Sequence, residues 1–496
     1  MMGNFYTNVR AICVSCAVLI LSLIAACDGY SLDRSAAFEM NKRLGRGVNI
    51  GNTFEASPKE DSWGNPWKPE YLKTISDLGF KHIRLPINWE TDERAMLEAP
   101  YTIKPEFMTR IKGVVDEALK NKLLVIVNMH HHWRVHKDPD ASRDRFLSQW
   151  AQIAEAFKDY PDSVVFEVMN EPQGKLTGEK WEVFFADALG QIRKTNPKRI
   201  VLMGAGEAIP NDPYLIYTPH FYGPFNFTHQ NASFENGAKA WLGTEWLNAK
   251  YERAFIEQAA DKFAAFGKKH DIPIHIGEFG VIIHADMASR ARWTTFTARC
   301  FEKRNFSWAY WDFSALFGIY DRKAGKVYPE MADALLRNPM PEPAKSELKI
   351  LYSSNFSTDT NGWKLNVGGG AEATMVAKDG TLVVNITNPG KNAWNVQLSK
   401  WSFSLEQGKL YMVSYVASDT AGRDVTSYMG KGPAPWNHYT HSRISPEVTN
   451  PFYCFSMGTH SDPKAGITMD IGGGKPSTFV LSEVKLQEIV ITNGRK

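Results

Sequence analysis

Between residues 46 and 337 the chain alternates eight times between a short apolar, β-branched run and a longer polar stretch. The runs fall at residues 47–51, 82–87, 123–129, 164–168, 199–203, 215–221, 273–276 and 306–313. Most of the stretches between them repeat apolar residues at helical spacing: 68–78, 105–119, 143–157, 180–193, 245–266 and 288–301. Continuous apolar runs suit parallel strands buried on both faces, and the helical stretches suit the crossovers that parallel strands require. Eight such units over about 290 residues predict an α/β fold, a (β/α)8 TIM barrel, as the core of a domain spanning 36–338. Between runs five and six only a short helix fits.

Residues 338–343 carry three prolines in six positions and cannot continue a helix, so 339–347 reads as a stiff Pro-rich linker. Beyond it, residues 348–496 change texture. Alternating runs such as 381–387, 409–417 and 478–486 are broken by Gly, Asn, Asp and Ser, which predicts an all-β jelly-roll sandwich. The length of 496 residues accommodates both units. A balance of 57 basic against 54 acidic residues gives no electrostatic case for nucleic acid as a partner.

The first 27 residues read as a signal peptide. Arg10 precedes an apolar run over 11–26, shorter than the about twenty residues of a membrane span. Small residues before Cys27 match the lipoprotein form of such signals, with Cys27 the lipidated residue, against a plain cleavage site near Ala26. Either way the chain is expected to be exported, as a cell-surface or periplasmic lipoprotein or else secreted, and to touch a membrane only through the lipid. Cys13 and Cys16 lie inside the signal; Cys300 and Cys454 are far apart and are expected to be buried thiols rather than a disulfide.

In a barrel the site forms where the strands end. Run one ends at Asn52, run two contains Arg84, and run three ends in His130, His131 and His132. Run four ends in Asn170 and Glu171, run six in His220 and Tyr222, run seven in Glu278, and run eight contains Trp311. Polar groups on apolar strands cost free energy unless partnered, so their convergence at one rim marks a site. Glu171 and Glu278 end strands nearly opposite each other. Acetal cleavage needs such a pair, one acid to protonate the leaving oxygen and one carboxylate at the anomeric carbon. The acid must hold its proton near neutral pH, and a second carboxylate nearby is expected to raise its pKa. Asn170 can donate to a sugar hydroxyl, Arg84 can orient a carboxylate, and Trp311 offers an aromatic face.

Each signal has a plainer reading: Glu278 as a strand cap, Arg84 in a surface ion pair, Trp311 as core. Three adjacent histidines look like a metal cluster, but neighbours on a strand point to opposite faces and cannot grip one ion without a bulge. No organic cofactor or catalytic metal is expected; a structural calcium in the sandwich stays open, with nothing in the sequence to identify one.

Residues 46–321 resemble glycoside hydrolase family 5, the cellulase and mannanase family of retaining barrel enzymes. The likeness rests on 46–56, 82–89, 127–131, 166–172, 220–222, 227–230, 276–280 and 308–311, all in order. It implies that Glu171 is the general acid/base and Glu278 the nucleophile. It further implies that Arg84 supports the nucleophile and that Asn170 binds the 2-hydroxyl. His130 and His131 would sit in the subsite network, His220 and Tyr222 would orient the carboxylates, and Trp311 would stack on the sugar. Asn52 and Glu55 would line the glycone side. Phe221 stands where many relatives have Tyr. The C-terminal region is similar to jelly-roll carbohydrate-binding modules, with Trp394, Gln397 and Trp436 as candidates for sugar contact or for sandwich core.

The resulting expectation is a monomeric, retaining endo-β-1,4-glucanase acting on β-linked polysaccharide such as cellulose, mixed-linkage glucan or mannan. A β-mannanase or xyloglucanase would use the same apparatus. A glycan-binding surface lipoprotein on a catalytically dead barrel is the non-enzymatic alternative; it would be free to lose either glutamate.

Overall fold

The computed structural model describes residues 32–492 except 355, 358, 433–437 and 445–450, with backbone alone over 441–444. The signal segment, Cys27 and Trp436 lie outside the described residues.

The barrel runs α1 (Ser35–Leu44), β1 (Arg46–Asn49), α2 (Glu70–Leu78), β2 (His82–Leu85), α3 (Pro105–Lys120), β3 (Leu124–Asn128), α4 (Trp133–Lys137), α5 (Pro139–Ala156) and β4 (Val164–Glu167). It continues with α6 (Gly178–Thr195), β5 (Val201–Met203), β6 (Leu215–Tyr217), β7 (His220–Phe221), α7 (Phe225–Thr228), α8 (Lys250–His270), β8 (His275–Phe279), α9 (Met287–Glu302) and β9 (Ser307–Tyr310). A hairpin of β10 (Tyr320–Asp321) and β11 (Lys326–Val327) and helix α10 (Pro329–Leu336) complete it.

The strands lie in the order β6-β5-β4-β3-β2-β1-β9-β8-β7, all parallel. β6 and β7 are the two halves of the sixth barrel strand, interrupted at Thr218-Pro219. Proline has no N–H to give, so pairing passes around it. Tyr217 N donates to Pro273 O at 3.0 Å, and Gly277 N to Pro219 O at 3.0 Å, which closes the barrel against β8. No helix forms between β5 and β6; residues 204–214 are loop, so the short helix allowed there by spacing is absent.

Outward residues such as Val125, Val127 and Phe166 pack under the helices in one large core. The interior set is different. Ile126, Val165, Leu202 and Ile216 meet Ala37, Met40 and Leu44 of α1, which closes the N-terminal floor of the barrel. Above that layer the interior is polar: His82 and His275 pack edge to face at 5.1 Å, and Arg84, Glu167, Asn49 and Asn128 lie higher. Gly47 is required here, because a Cβ would fall 2.1 Å from the His82 ring.

The sandwich has two antiparallel sheets over one core that includes Trp363, Val384, Leu398, Tyr453 and Phe479. β14 (Glu372–Lys378), β15 (Thr381–Asn388), β22 (Ser477–Ile491), β17 (Leu410–Asp419) and β20 (Phe452–Ser456) form one sheet, with β12 (Ser346–Ser353) also on β22. β13 (Lys364–Val367), β16 (Val396–Leu405), β21 (Asp462–Asp470), β18 (Val425–Gly430) and β19 (His438–Ile444) form the other. Cys300 and Cys454 are free and buried.

The Pro-rich segment is clamped rather than free. Asn248 Nδ2 and Arg253 Nη1 donate to the carbonyls of Glu342 and Pro341, each at 2.6 Å, and Ala344 N donates to Asn248 O at 2.9 Å. Beside it Ala249 joins Leu410, Met412, Cys454 and Ile489 of the sandwich in a shared apolar cluster.

Candidate active site

The site stands on side chains that point up the barrel from its C-terminal strand ends. Arg84, fully buried, is its hub. Its Nε and Nη2 donate to Glu167 at 2.6 and 2.7 Å, and its Nη1 to Glu278 Oε1 at 2.7 Å and Asn49 Oδ1 at 2.9 Å. Nη2 also reaches Asn170 Oδ1 at 2.8 Å. Holding the Asn170 oxygen this way turns its amide N–H groups outward, the orientation needed to donate to a ligand hydroxyl.

Glu278 reaches the interior because β8 is irregular. Ile276 and Phe279 both pack outward, and the pairing with β9 shifts register between them. A strict two-residue alternation would send Glu278 outward with Ile276; the extra residue turns it in. Gly277 permits the turn, since a Cβ there would sit 2.7 Å from Thr218 Oγ1. Glu278 is buried, and Tyr222 donates its hydroxyl to Glu278 Oε2 at 2.8 Å.

Glu171 follows β4 with a positive φ of 36°, unusual for a residue with a side chain. Half of its side chain is exposed. His220 Nδ1 lies 2.8 Å from Glu171 Oε1 and 3.6 Å from Glu278 Oε2, so one ring nitrogen bridges the two acids. Ligand atoms of Glu171, His220 and Glu278 all lie within 4.8 Å of one another. That triad is the cluster with metal-ligand character among the described residues. Arg84 already occupies one Glu278 oxygen, and the His220 nitrogen that would ligate is spent between the carboxylates.

Burial pushes the His220 pKa down, but the charges of Glu278 and Glu171 outweigh it and raise it above the usual value. Burial raises the Glu171 carboxyl, yet the His220 hydrogen bond and charge, with Arg84, reverse this and hold it at about 2. The acid at position 171 is therefore not raised as the sequence suggests; the expected effect of the second carboxylate is overridden by the imidazolium between them. Glu278 is the raised member, because burial outweighs His220 and Arg84. The two shifts, His220 up and Glu171 down, favour a proton on His220 over one on Glu171, one hydrogen bond away.

His130 stacks on Trp311 at 5.5 Å and 9°, with Nε2 4.0 Å from Glu278 Oε1; burial, then His131 and Arg84, keep it neutral. The three histidines diverge. His131 packs between Trp63 at 5.5 Å and Trp133 at 4.8 Å, while His132 turns inward to Glu90 at 3.0 Å and Gln149 at 3.2 Å. Asn52 lies at the rim in a left-handed turn, φ 61°. Glu55 does not line the cleft: it is buried, accepts the N–H groups of Asn52 and Thr53, and burial lifts its carboxyl to about 8.

Sequence reasoning overlooked Glu167, although an acid two residues after inward-facing Val165 in an apolar strand was a usable signal. It also passed over Trp63 and Trp133, which are 43% and 49% exposed beside the cleft. In the sandwich, Trp394 is 62% exposed and so is not core. Gln397 Nε2 donates to Asp470 Oδ1 at 2.8 Å and Tyr428 Oη at 3.3 Å. Trp401 and Tyr428 join them along one groove and were not anticipated.

The chain is similar to known proteins in both halves. The family model for cellulase (glycosyl hydrolase family 5) matches residues 45–316, and one for a carbohydrate binding domain matches 348–473. Endoglucanase H of Acetivibrio thermocellus is 35% identical over 326 residues, covering 62% of this chain. The chain spans only 34% of that relative's length. Endoglucanase Cel5A of Thermotoga maritima is 40% identical in its crystal structure, with a TM-score of 0.59 over 61% of this chain and all of that one. A complex of the same enzyme with mannotriose is 39% identical, with a TM-score of 0.59 over 60% of this chain and all of that one. With the barrel, its opposed carboxylates and a match over more than half its length, this chain belongs to the cellulase family, glycosyl hydrolase family 5.

Proposed function

We propose that the protein is a retaining endo-β-1,4-glucanase in which Glu278 is the nucleophile and Glu171 the acid/base. The observation that carries this reading is the spacing: oxygens of the two carboxyls come within 4.8 Å. That suits a retaining mechanism, about 5–5.5 Å, and leaves no room for the water that an inverting one holds between carboxyls about 6.5–9.5 Å apart.

In the first step a Glu278 oxygen bonds to the anomeric carbon as the glycosidic C–O bond breaks. Glu171 gives its proton to the leaving oxygen. In the second step water attacks the same carbon, Glu171 takes the water's proton, and the bond to Glu278 breaks. Substrate that displaces water from the rim disfavours the separated Glu171–His220 charges, so the shared proton passes to Glu171 before it is needed. Arg84 and Tyr222 hold Glu278 and receive the charge it regains on release. Asn170 donates to the hydroxyl beside the attacked carbon, and Trp311, stacked on His130, gives that sugar a flat apolar face.

Glucan is favoured by the endoglucanase relatives. The mannotriose complex of Cel5A keeps β-mannan as the second substrate to assay. The exposed ring of Trp394 supports a glycan-binding sandwich, and the sequence before Ser35 supports an exported, lipid-anchored protein. Product analysis on soluble β-glucan, glucomannan and xyloglucan, with anomer detection by proton NMR, tests the reading. Initial β-anomer and falling viscosity are expected; initial α-anomer, or no hydrolysis of any β-1,4-glycan, overturns it.

A further inference from the structure

The sandwich bears a groove of about 810 Å³ lined by Trp394, Gln397, Trp401, Tyr428, His438 and Asp470. The Trp401 ring lies against Gly466 and Gly432, where added Cβ atoms would come within 2.1 and 2.7 Å of it. Two residues without side chains thus let the indole lie on the backbone. Tyr428 stacks on His438 at 4.0 Å and 22°. Ring faces alternating with an amide and a carboxylate match a neutral sugar chain, apolar on its faces and hydroxylated at its edges.

One residue of this groove also touches the barrel. His438, which lines the groove, accepts the Trp241 indole N–H on its carbonyl at 2.6 Å. Trp241 belongs to the barrel segment between β7 and α8, and it packs edge-on against Phe225 at 6.0 Å. Phe225 stacks on His229 at 3.9 Å, His229 meets Tyr222 at 5.0 Å, and Tyr222 holds Glu278. Phe234, 62% exposed, meets His229 at 6.1 Å and offers an open ring on the same segment. Nearby Thr459 N donates to Leu242 O at 3.2 Å, and Gly243 and Gly458 let the two backbones touch. With the clamped proline segment and the shared apolar cluster, the sandwich is held against the loops of the cleft.

We infer that the cleft and the sandwich groove form one binding track, occupied by a single β-glycan chain that passes Phe234 on its way between domains. The inference rests on the proposed reading of the sandwich as glycan-binding and adds a fixed register between that groove and the cleaved bond. A flexible antenna concentrates enzyme on a surface and affects soluble chains little. A fixed track instead adds subsites, so its benefit appears with soluble chains long enough to enter both parts.

The test compares full-length wild type with Trp394→Ala and Trp401→Ala. Cellohexaose binding is measured by calorimetry in the Glu278→Gln background, and the ratio of kcat/KM on soluble mixed-linkage β-glucan to that on cellotetraose in the active one. Trp394 is surface-exposed, so its loss does not threaten folding and covers the case in which Trp401→Ala fails to fold. Weakened cellohexaose binding with a fall of about tenfold in the ratio is expected. Unchanged binding overturns the glycan-binding reading and the track together. Weakened binding with an unchanged ratio leaves the sandwich a glycan binder and overturns the track alone.

Discussion

Glu167 takes two of the donors of Arg84 in a side-by-side ion pair, and neither residue has any exposed surface. The pair sits directly under the cleft and fixes the guanidinium plane from which Glu278 and Asn170 are held. Removing Glu167 leaves two buried guanidinium donors unpaired and Glu278 as the one carboxylate on Arg84, at a cost of up to about 3–5 kcal/mol. Glu167→Ala is expected to lower stability by that order in urea unfolding. Activity at a temperature where the variant is still folded should fall as well, because Arg84 loses its fixed orientation.

The two glutamates should separate by leaving group. Glu278→Gln is expected to lose about 10⁴-fold or more on every substrate, since no other group reaches the anomeric carbon. Glu171→Gln should lose about 10²–10⁴-fold on cellotetraose but far less on a dinitrophenyl β-cellobioside, whose leaving group needs no proton. Equal losses on both substrates would reverse the assignment of Glu171.

His220 is expected to govern the alkaline limb of the pH profile. Its pKa lies above the usual 6.5, so the proton it shares with Glu171 is present below that raised value and lost as pH rises through it. In His220→Asn the proton must reside on Glu171, whose ordinary value is 4.5. The alkaline limb of kcat/KM should therefore move to lower pH. A limb that stays in place would show that another group carries the proton.

Glu252 links stability to pH without touching the cleft. It is buried, accepts the N–H groups of Leu247 and Ala249, and burial lifts its carboxyl to about 7. A folded value above the unfolded 4.5 favours the protonated fold, so this contribution is full below about 4.5 and is lost as pH rises to about 7. The span corresponds to about 3 kcal/mol. Thermal unfolding between pH 4.5 and 7 should show a shallower decline in Glu252→Gln than in wild type.

The barrel was legible because parallel strands buried on both faces write themselves as unbroken apolar runs, and most helices showed their period. The break at Pro219 was less so: a proline within a run marks a discontinuity without saying whether the strand resumes. The residues of the catalytic rim stood out as polar strand ends. The inward aim of Glu278 did not, because it depends on a bulge that reverses the alternation. Glu167 was hidden inside its run. The low pKa of Glu171 came from a histidine nearly fifty positions away, and the joint between domains from the Trp241 indole and the Leu242 carbonyl, contacts that no local pattern announces. Trp401 gained its place from two distant glycines.

Helix α1, stoppered into the floor by Ala37, Met40 and Leu44, also gives the molecule a polarity. The chain arrives at Ser35 on the face opposite the mouth. A lipid carried at Cys27, eight residues earlier, would hold that lower face to the bilayer on a short leash and present the catalytic opening outward, toward polymer too large to approach the membrane.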